Sequence, residues 1–321
     1  MEGKGNMKKI KLGISACLLG EKVRYDGQHQ LDRFLAGTLS EYVDWMPVCP
    51  EVECGLPVPR EAMHLAGNPE SPRLVTVRSG IDHTGKMLKW AEDKLRELEE
   101  EKLCGFVFKS KSPSSGMTKV KVYSDSGMPT KNGIGLFAAA FMKKFPLLPV
   151  EDEGRINDPS IRENFIERIF VFARWRDFIK NDSSIKGLVD FHTRHKLLIM
   201  AHNPKMTAAL GQIVAKAKGE NKDTVFTEYI TKFMETLKLQ ATVKKNVNVL
   251  QHIAGYFKKN LSADEKKELI ELIDSYHKNL IPLIVPLTLL NHYVRKYNEK
   301  YLAEQFYLNP HPLELCLRNH V

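Results

Sequence analysis

The pattern of predicted secondary structure changes near residue 155 of this 321-residue chain. Before that point, apolar runs of strand length alternate with amphipathic helical stretches, and after it only helical periodicity continues. Strands that alternate with helices are typical of a parallel sheet with helices on its faces. The sequence therefore predicts an α/β domain with a Rossmann-like parallel sheet over residues 1–155 and an all-α domain over residues 156–321.

Three unusual loops each follow a predicted strand of the first domain, at residues 16–20, 49–60 and 110–116. In open α/β sheets, ligands bind beyond the carboxyl ends of the strands. One site should therefore collect all three loops. Strands are predicted at KIKLGIS, VDWMPVCPE, RLVTVRS, CGFVFKS and PLLPVED, and helices at LDRFLAGTLSEYV, 86–102 and IGLFAAAFMKKF.

The second region is predicted to be a series of amphipathic helices. Asn203-Pro204 marks the start of one helix, and Ser262 followed by Glu265 three residues later predicts a capping box. The predicted helices are 160–180, 183–199, 204–218, 222–240, 245–259, 263–278 and 283–308.

The net charge of +9 is concentrated in one block of the chain. Residues 161–260 contain 18 lysines and arginines against nine acidic residues. A concentrated positive block indicates a polyanionic partner, of which nucleic acid is the commonest inside cells, although a solvated helical face gives the same composition. Without a membrane-length apolar run or a signal peptide, we expect a cytoplasmic protein with no membrane partner.

Five cysteines occur in the chain, and three of them lie near Gly and Pro in predicted loops: Cys17, Cys49 and Cys54. An odd number of cysteines in a cytoplasmic chain argues against a disulfide framework. The C-x4-C spacing of Cys49 and Cys54 differs from the paired C-x2-C pattern of zinc sites, whereas iron–sulfur clusters are held by thiolates. From spacing alone, a metal site, a redox pair and simple packing all stay open.

Two further features carry polar groups suited to chemistry. Glu51 comes two residues after Cys49 and could transfer protons, or it could be a surface or capping acid. The segment KSKSPSSG at 109–116 supplies lysines, hydroxyls and backbone N–H groups for an anion or a base edge, or it could form an ordinary polar turn.

Four ordered motifs resemble the thiouracil desulfurase (TudS) family: SACLLG (15–20), VRYDG (23–27), PVCPEVECGLPVPRE (47–61) and FKSKSPSSG (108–116). The segment GLVDFHTRHKLLIMAHNPKM (187–206) resembles the YbgA-type helical domain. Together the two parts are similar to RudS-type tRNA 4-thiouridine desulfidases, which carry both domains in this order.

The resemblance implies a 4Fe–4S cluster with three protein ligands and one iron not ligated by protein. In that family, the open iron takes sulfur from a thiocarbonyl, and water replaces sulfur at the base carbon without net redox change. Cys17 and Cys49 match two of the family's ligands, but Ser115 stands where a third cysteine is common. We expect Cys54 to serve as the third ligand, with Cys104 or Ser115 as alternatives.

The matched motifs also imply roles for other residues. Glu51 is predicted to activate water, while Ser112 and Lys109 orient the substrate and stabilise developing charge. Substrate contacts are predicted for Arg24, Tyr25, Asp26, Ser114 and Ser115.

RNA contacts are predicted in the helical domain for Arg174 and Arg176, which flank Trp175, and for Arg194, His195 and Lys196. The predicted function is desulfuration of 4-thiouridine in tRNA to uridine, with release of hydrosulfide. The alternatives are desulfuration of free thiouracil or another small thiolated metabolite, and a non-catalytic nucleic-acid-binding or redox-sensing protein. The sequence leaves the oligomeric state open.

Overall fold

The computed structural model describes residues 9–124 and 127–320. The chain divides into two compact units, Met1–Asp158 and Pro159–Val321. The first combines sheets with helices and the second is helical, so the predicted α/β plus all-α architecture is confirmed. No helix within the described ranges is both long and apolar enough to cross a membrane.

Eight strands form two four-stranded sheets in the first unit. They are β1 (Ile10–Ser15), β2 (Val43–Val48), β3 (Met63–Ala66), β4 (Arg73–Thr76), β5 (Phe106–Phe108), β6 (Val120–Tyr123), β7 (Pro129–Gly133) and β8 (Val150–Asp152). The first sheet has the order β2-β1-β5-β8 and is parallel throughout. The second has the order β4-β3-β6-β7 and mixes parallel and antiparallel pairs.

The second sheet is where the sequence-based prediction falls short. Only β4 was expected, and as part of a single sheet. Strand β7, with the sequence PTKNG, is exposed along four of its five residues and lacks the apolar pattern that marks a strand. Its pairing with β6, rather than its composition, makes it a strand.

Four helices accompany the sheets of the first unit: α1 (Pro50–Glu53), α2 (Thr84–Glu100), α3 (Leu136–Lys144) and α4 (Glu153–Ile156). The regular α-helix predicted over LDRFLAGTLSEYV is wrong in its type, because that segment forms a short π-helix at Phe34–Thr38 and a 3-10 helix at Leu39–Glu41. Within it, the Ser40 hydroxyl donates to the carbonyl oxygen of Leu35 at 2.9 Å. This side-chain bond competes with regular helical hydrogen bonding.

The parallel sheet is anchored by a fully buried apolar core. Leu12 and Ile14 are inaccessible to solvent, and Phe106 stacks on Phe108 with 4.3 Å between ring centroids. A Cβ at Gly13 would lie 2.2 Å from the Phe106 ring, so only glycine allows β1 and β5 to pack in this way. This packing fixes the strand ends from which the loops of the site emerge.

The second unit contains α5 (Pro159–Asn181), α6 (Ile185–His202), α7 (Pro204–Lys216), α8 (Lys222–Lys238), α9 (Val243–Tyr256), α10 (Ala263–His277), α11 (Ile284–Lys296) and α12 (Lys300–Ala303). The predicted capping box between Ser262 and Glu265 is confirmed. The helix expected over 283–308 is instead interrupted, and Asn298 adopts a left-handed backbone conformation in the interruption (φ 49°). That conformation does not continue a right-handed helix.

Candidate active site

A pocket of about 420 Å³ lies at the carboxyl ends of β1, β2 and β5. Its lining comes from residues 15–17, 23–25, 48–51, 60, 62–63 and 109–115. The prediction that the three loops meet at one edge of the parallel sheet is therefore confirmed. The sheet order places β1 between β2 and β5, which brings the loops that follow these strands together.

Cys17 and Cys49 both line this pocket. Cys17 lies in the 3-10 turn Ala16–Leu19, and its carbonyl oxygen accepts the N–H of Gln30 at 2.9 Å. Burial raises the pKa of each thiol to about 11, and the charge of Lys109 only partly offsets this at Cys17. Both groups are thus neutral thiols in the free site, and a bound cation would favour their thiolate forms.

The structure separates the three candidates for a third ligand and corrects the preference for Cys54. Ser115 lines the pocket with Cys17 and Cys49 and is buried. Cys54 does not line it: this side chain packs in an apolar cluster with residues such as Leu65 and Met87.

Cys104 is not in the pocket either. It precedes β5, whereas the pocket lies beyond the other end of that strand, and its N–H pairs with the carbonyl oxygen of Lys11 near the start of β1. Within residues 9–124 and 127–320, no three side chains of His, Cys, Asp or Glu are grouped to hold a metal ion. Of the predicted cluster ligands, those that line this pocket are therefore Cys17, Cys49 and Ser115.

Glu51 projects into the pocket from α1 and is held at both carboxylate oxygens. Its Oε1 accepts a hydrogen bond from the Ser114 hydroxyl at 2.9 Å, and its Oε2 accepts from Arg60 Nε at 2.9 Å and also from Arg60 Nη2. Arg60 additionally donates from Nη2 to the carbonyl oxygen of Val23 at 3.0 Å. Sequence reasoning did not select Arg60, although it lies inside the motif at 47–61.

The serine loop after β5 (residues 110–116) is held by hydrogen bonds within the loop and from α3. The Ser112 hydroxyl accepts the N–H of Ser115 at 3.1 Å and lies 2.9 Å from the Ser114 hydroxyl. The N–H of Phe137 in α3 donates to the carbonyl oxygen of Ser114 at 3.0 Å. A Cβ at Gly135 would lie 2.5 Å from the Ser114 backbone, so this close approach requires glycine. The three serines thus present hydroxyls from a rigid support.

Lys109 lines the pocket, and its ammonium group forms an ion pair with Glu153. Glu153 follows β8 and also accepts the N–H of Ser110 at 2.6 Å. The Lys109 N–H in turn donates to the Ser15 hydroxyl at 2.8 Å. Sequence reasoning did not identify Glu153, which lies 44 residues along the chain from Lys109.

Of the residues predicted to contact the substrate, Arg24 and Tyr25 line the pocket, but Asp26 does not. The Asp26 carboxylate accepts the N–H of Gln28 at 3.1 Å and pairs with Arg24 at 3.4 Å. The structure therefore corrects the placement of Asp26, which lies outside the pocket lining and contacts Arg24 instead.

In the helical unit, His195 and Arg174 are not placed to contact RNA. His195 is fully buried, and its ring packs against Phe191 and Phe306 with centroids 4.1 and 4.5 Å away. The Arg174 guanidinium lies 3.9 Å from the Phe306 ring centroid and donates to the carbonyl oxygen of Pro310. Both side chains pack within the helical unit, which corrects the prediction for them.

The other predicted RNA contacts have different surroundings. Arg194 and Lys196 are exposed on α6, and Arg194 also lies over the Phe306 ring at 4.7 Å. Arg176 is half-buried with its guanidinium 5.1 Å from the Phe172 ring. Trp175 is buried, so of the two interpretations of this side chain the structure favours packing over base stacking.

Models of two protein families match this chain, one in each part. The model of a family described as 2-thiouracil desulfurase matches residues 12–153, and that of a protein of unknown function, DUF1722, matches residues 196–312. The chain is 31% identical over 153 residues to the uncharacterised protein YbgA of Escherichia coli (strain K12). The aligned region covers 47% of this chain and 90% of YbgA. The chain belongs to the YbgA family and carries a thiouracil desulfurase (TudS-type) domain. A solved structure described as a 4Fe-4S-dependent thiouracil desulfidase, TudS, shares 30% identity over 47% of this YbgA-family chain and 95% of its own, with a TM-score of 0.38.

The two matched ranges of this YbgA-family chain differ in how many predicted site residues they contain. Every residue that lines the pocket, from Ser15 to Ser115, lies within the range matched to 2-thiouracil desulfurase. Lys196 is the first residue of the DUF1722 match, and Arg194 lies just before it.

Proposed function

We propose that this protein is an iron–sulfur-dependent, non-redox desulfidase that converts 4-thiouridine in tRNA to uridine and releases hydrosulfide. The observation that carries the proposal is the meeting of Cys17, Cys49 and Glu51 in one pocket of a TudS-type domain. The test is hydrosulfide release from thiolated tRNA after anaerobic purification, with iron and sulfide content measured on the same sample. Turnover of free thiouracil without turnover of tRNA would favour the small-molecule alternative, and absence of both would favour a non-catalytic protein.

The proposed cofactor is a 4Fe–4S cluster with one iron not ligated by protein. Cys17 and Cys49 would hold it as thiolates, and the Ser115 oxygen would be the third protein ligand, because these donors share the pocket. When bound, the cluster would supply a Lewis-acidic iron with affinity for the soft sulfur of a thiocarbonyl. A serine oxygen is a harder donor than a thiolate, so this ligand set should hold iron less firmly than three cysteines.

The chain's own residues would supply proton transfer and charge stabilisation. Glu51, oriented by Arg60 and Ser114, is proposed to take a proton from the attacking water. The Ser112 hydroxyl and the Lys109 ammonium group are proposed to stabilise negative charge that develops on the base.

We expect Ser115→Cys to raise the amount of iron that the purified protein retains and to strengthen its visible absorbance. The reason is that the substitution places a third thiol in the pocket that Cys17 and Cys49 already line. Iron and sulfide content per chain would measure the effect. Cys316→Ser, at an exposed cysteine outside the pocket, is the control. Equal iron content in Ser115→Cys and the wild type would remove Ser115 from the proposed ligand set.

The proposed tRNA substrate is supported by the positive charge of the helical unit. Replacing Arg194 and Lys196 together by glutamine should weaken action on tRNA more than action on free 4-thiouridine, because phosphate contacts serve only the polymer. For two lost phosphate contacts, the slope of log binding constant against log salt should fall by roughly 1.4–1.8. The control exchanges two exposed lysines outside the positive block, Lys267 and Lys300, for glutamine. A slope equal to that of the control would show that Arg194 and Lys196 do not contact the RNA.

A further inference from the structure

The second sheet has one apolar face and one cationic face. Along β6, Val120 and Val122 are buried in the apolar cluster that also contains Leu65, while Lys121 is exposed and Tyr123 is half-buried. Because side chains alternate across a strand, Lys121 and Tyr123 share the face that turns away from the cluster. The outer face of this sheet therefore takes no part in the domain's core.

A groove of about 810 Å³ runs along this outer face. Four exposed lysines line it: Lys111, Lys119, Lys121 and Lys131. None of the four forms an ion pair with any other residue of the described ranges 9–124 and 127–320. The groove therefore presents positive charge that is available to an anionic partner.

The other charged side chains of the groove do not neutralise the lysines. Asp152 is buried, and its carboxylate accepts the N–H of Arg155 at 2.9 Å as a helix cap. The Arg155 guanidinium pairs with Glu151 at 2.6 Å. Asp152 and Glu151, acidic residues of the described ranges near this groove, are thus engaged within the domain.

Two aromatic rings lie among the cations. His64 of β3 and Tyr123 of β6 make an edge-on contact, with ring centroids 4.8 Å apart and planes at 69°. Both side chains line the groove and are only half-buried. A strand surface with partly exposed rings between lysines is suited to stacking of bases from a single nucleic acid strand.

The groove is continuous with the candidate active site, since the two share Met63, Ser110, Lys111 and Pro113 in their linings. An enzyme that acts on a base within a polymer must turn that base out of its stack and into a pocket. The ribose and phosphates that flank the base then stay at the mouth of the pocket. A cationic groove that begins at this mouth lies where the flanking strand would pass.

We propose that this groove binds the RNA strand next to the thiolated base, with phosphates on Lys119, Lys121 and Lys131 and a neighbouring base against Tyr123. The inference rests on the proposed function, because it takes the substrate base to be part of an RNA. An acidic polypeptide would also suit the lysines, but it would not require the aromatic pair or the continuity with a base-sized pocket. The first unit therefore contributes its own RNA-binding surface in addition to the positive block of the second.

The test uses the full chain with Lys119, Lys121 and Lys131 all replaced by glutamine. The probe is a single-stranded RNA oligonucleotide without a thiolated base, and binding is measured by fluorescence anisotropy at several salt concentrations. Three lost phosphate contacts should lower the salt slope by about 2 and weaken binding up to roughly 100-fold at 0.1 M salt. The matched control replaces Lys89, Lys102 and Lys143, which are exposed in the same unit; Lys102 has the same left-handed backbone as Lys119 (φ 54°).

A second variant, Tyr123→Leu, separates stacking from charge. Loss of one stacked base should weaken RNA binding roughly tenfold and leave the salt slope unchanged. The inference would be overturned if the salt dependence of RNA binding were the same in the triple lysine variant and in the control. It would also be overturned if polyglutamate displaced the RNA probe from the wild type as well as RNA of the same charge does.

Turnover on two substrates keeps the inference apart from the proposed function. We expect the triple lysine variant to lose action on thiolated tRNA, with a much smaller effect on free 4-thiouridine. If the wild type acts on tRNA and the triple variant acts equally well, the inference fails while the proposed function stands. If the wild type acts on free 4-thiouridine and neither binds nor converts tRNA, the proposed tRNA substrate fails and the groove proposal fails with it.

Discussion

Replacing Cys17 by alanine should abolish both the iron content and the desulfidase turnover of this protein. Cys17 is one of two thiols in the pocket, and Ser115 is the remaining donor at the proposed third position. Removal of one thiolate leaves a single soft ligand, which is too few to hold a cluster of four irons. Iron and sulfide analysis, the visible absorbance and hydrosulfide release from thiolated RNA would measure the effect on one preparation.

The matched control is Cys54→Ala. Its thiol packs among apolar side chains and donates to the carbonyl oxygen of Glu51 at 3.3 Å. Truncation should cost about 1 kcal/mol of stability through lost packing and leave the iron content unchanged. Loss of iron in Cys54→Ala with an intact fold would show that Cys54 is a ligand, and retention of iron in Cys17→Ala would contradict the proposed site.

The position of the site could be predicted from sequence, but the direction of its side chains could not. The apolar runs of β1, β2 and β5 were recognisable, and the parallel arrangement places their following loops at one edge. Cys49 and Cys54 are close in sequence, yet the single turn of α1 between them directs one thiol into the pocket and the other into the core. A spacing of five residues does not determine that difference.

The partners of the predicted site residues escaped sequence reasoning for a related reason. Glu51 and Lys109 were identified from motifs, whereas their ion-pair partners were not: Arg60 lies at the far end of the same loop as Glu51, and Glu153 follows a different strand from Lys109. The first pair depends on how the loop after β2 folds back on itself and the second on how the segments after β5 and β8 converge, and no local pattern in the chain encodes either arrangement.

The same limit applies to the helical unit. The concentration of positive charge along residues 161–260 is visible in the sequence. Arg194, His195 and Lys196 are consecutive, but successive residues of an α-helix point about 100° apart. The middle side chain is therefore buried among aromatic rings while its two neighbours are exposed. Composition identifies a basic region, and packing decides which of its residues can contact a partner.

Glu51→Gln should lower kcat by roughly 10²–10⁴-fold while leaving the iron content and visible absorbance unchanged. Glutamine has nearly the same shape as glutamate, but its amide does not take a proton from water. The two sides of the carboxylate are fixed by Ser114 and Arg60, so the loss should reflect the missing proton acceptor more than a displaced side chain. Turnover per iron atom, measured with free 4-thiouridine, keeps RNA binding out of the comparison.

Arg60→Lys is the companion variant, because it tests the positioning of Glu51 while the carboxylate stays in place. Lysine keeps the positive charge but does not reproduce the paired contacts of Nε and Nη2 with Oε2 or the contact with the carbonyl oxygen of Val23. We expect a smaller fall in kcat, measured per iron atom with free 4-thiouridine, than in Glu51→Gln. General base catalysis contributes at least about 10²-fold. If Glu51→Gln turns over within a factor of about three of the wild type per iron atom, Glu51 is therefore not the general base.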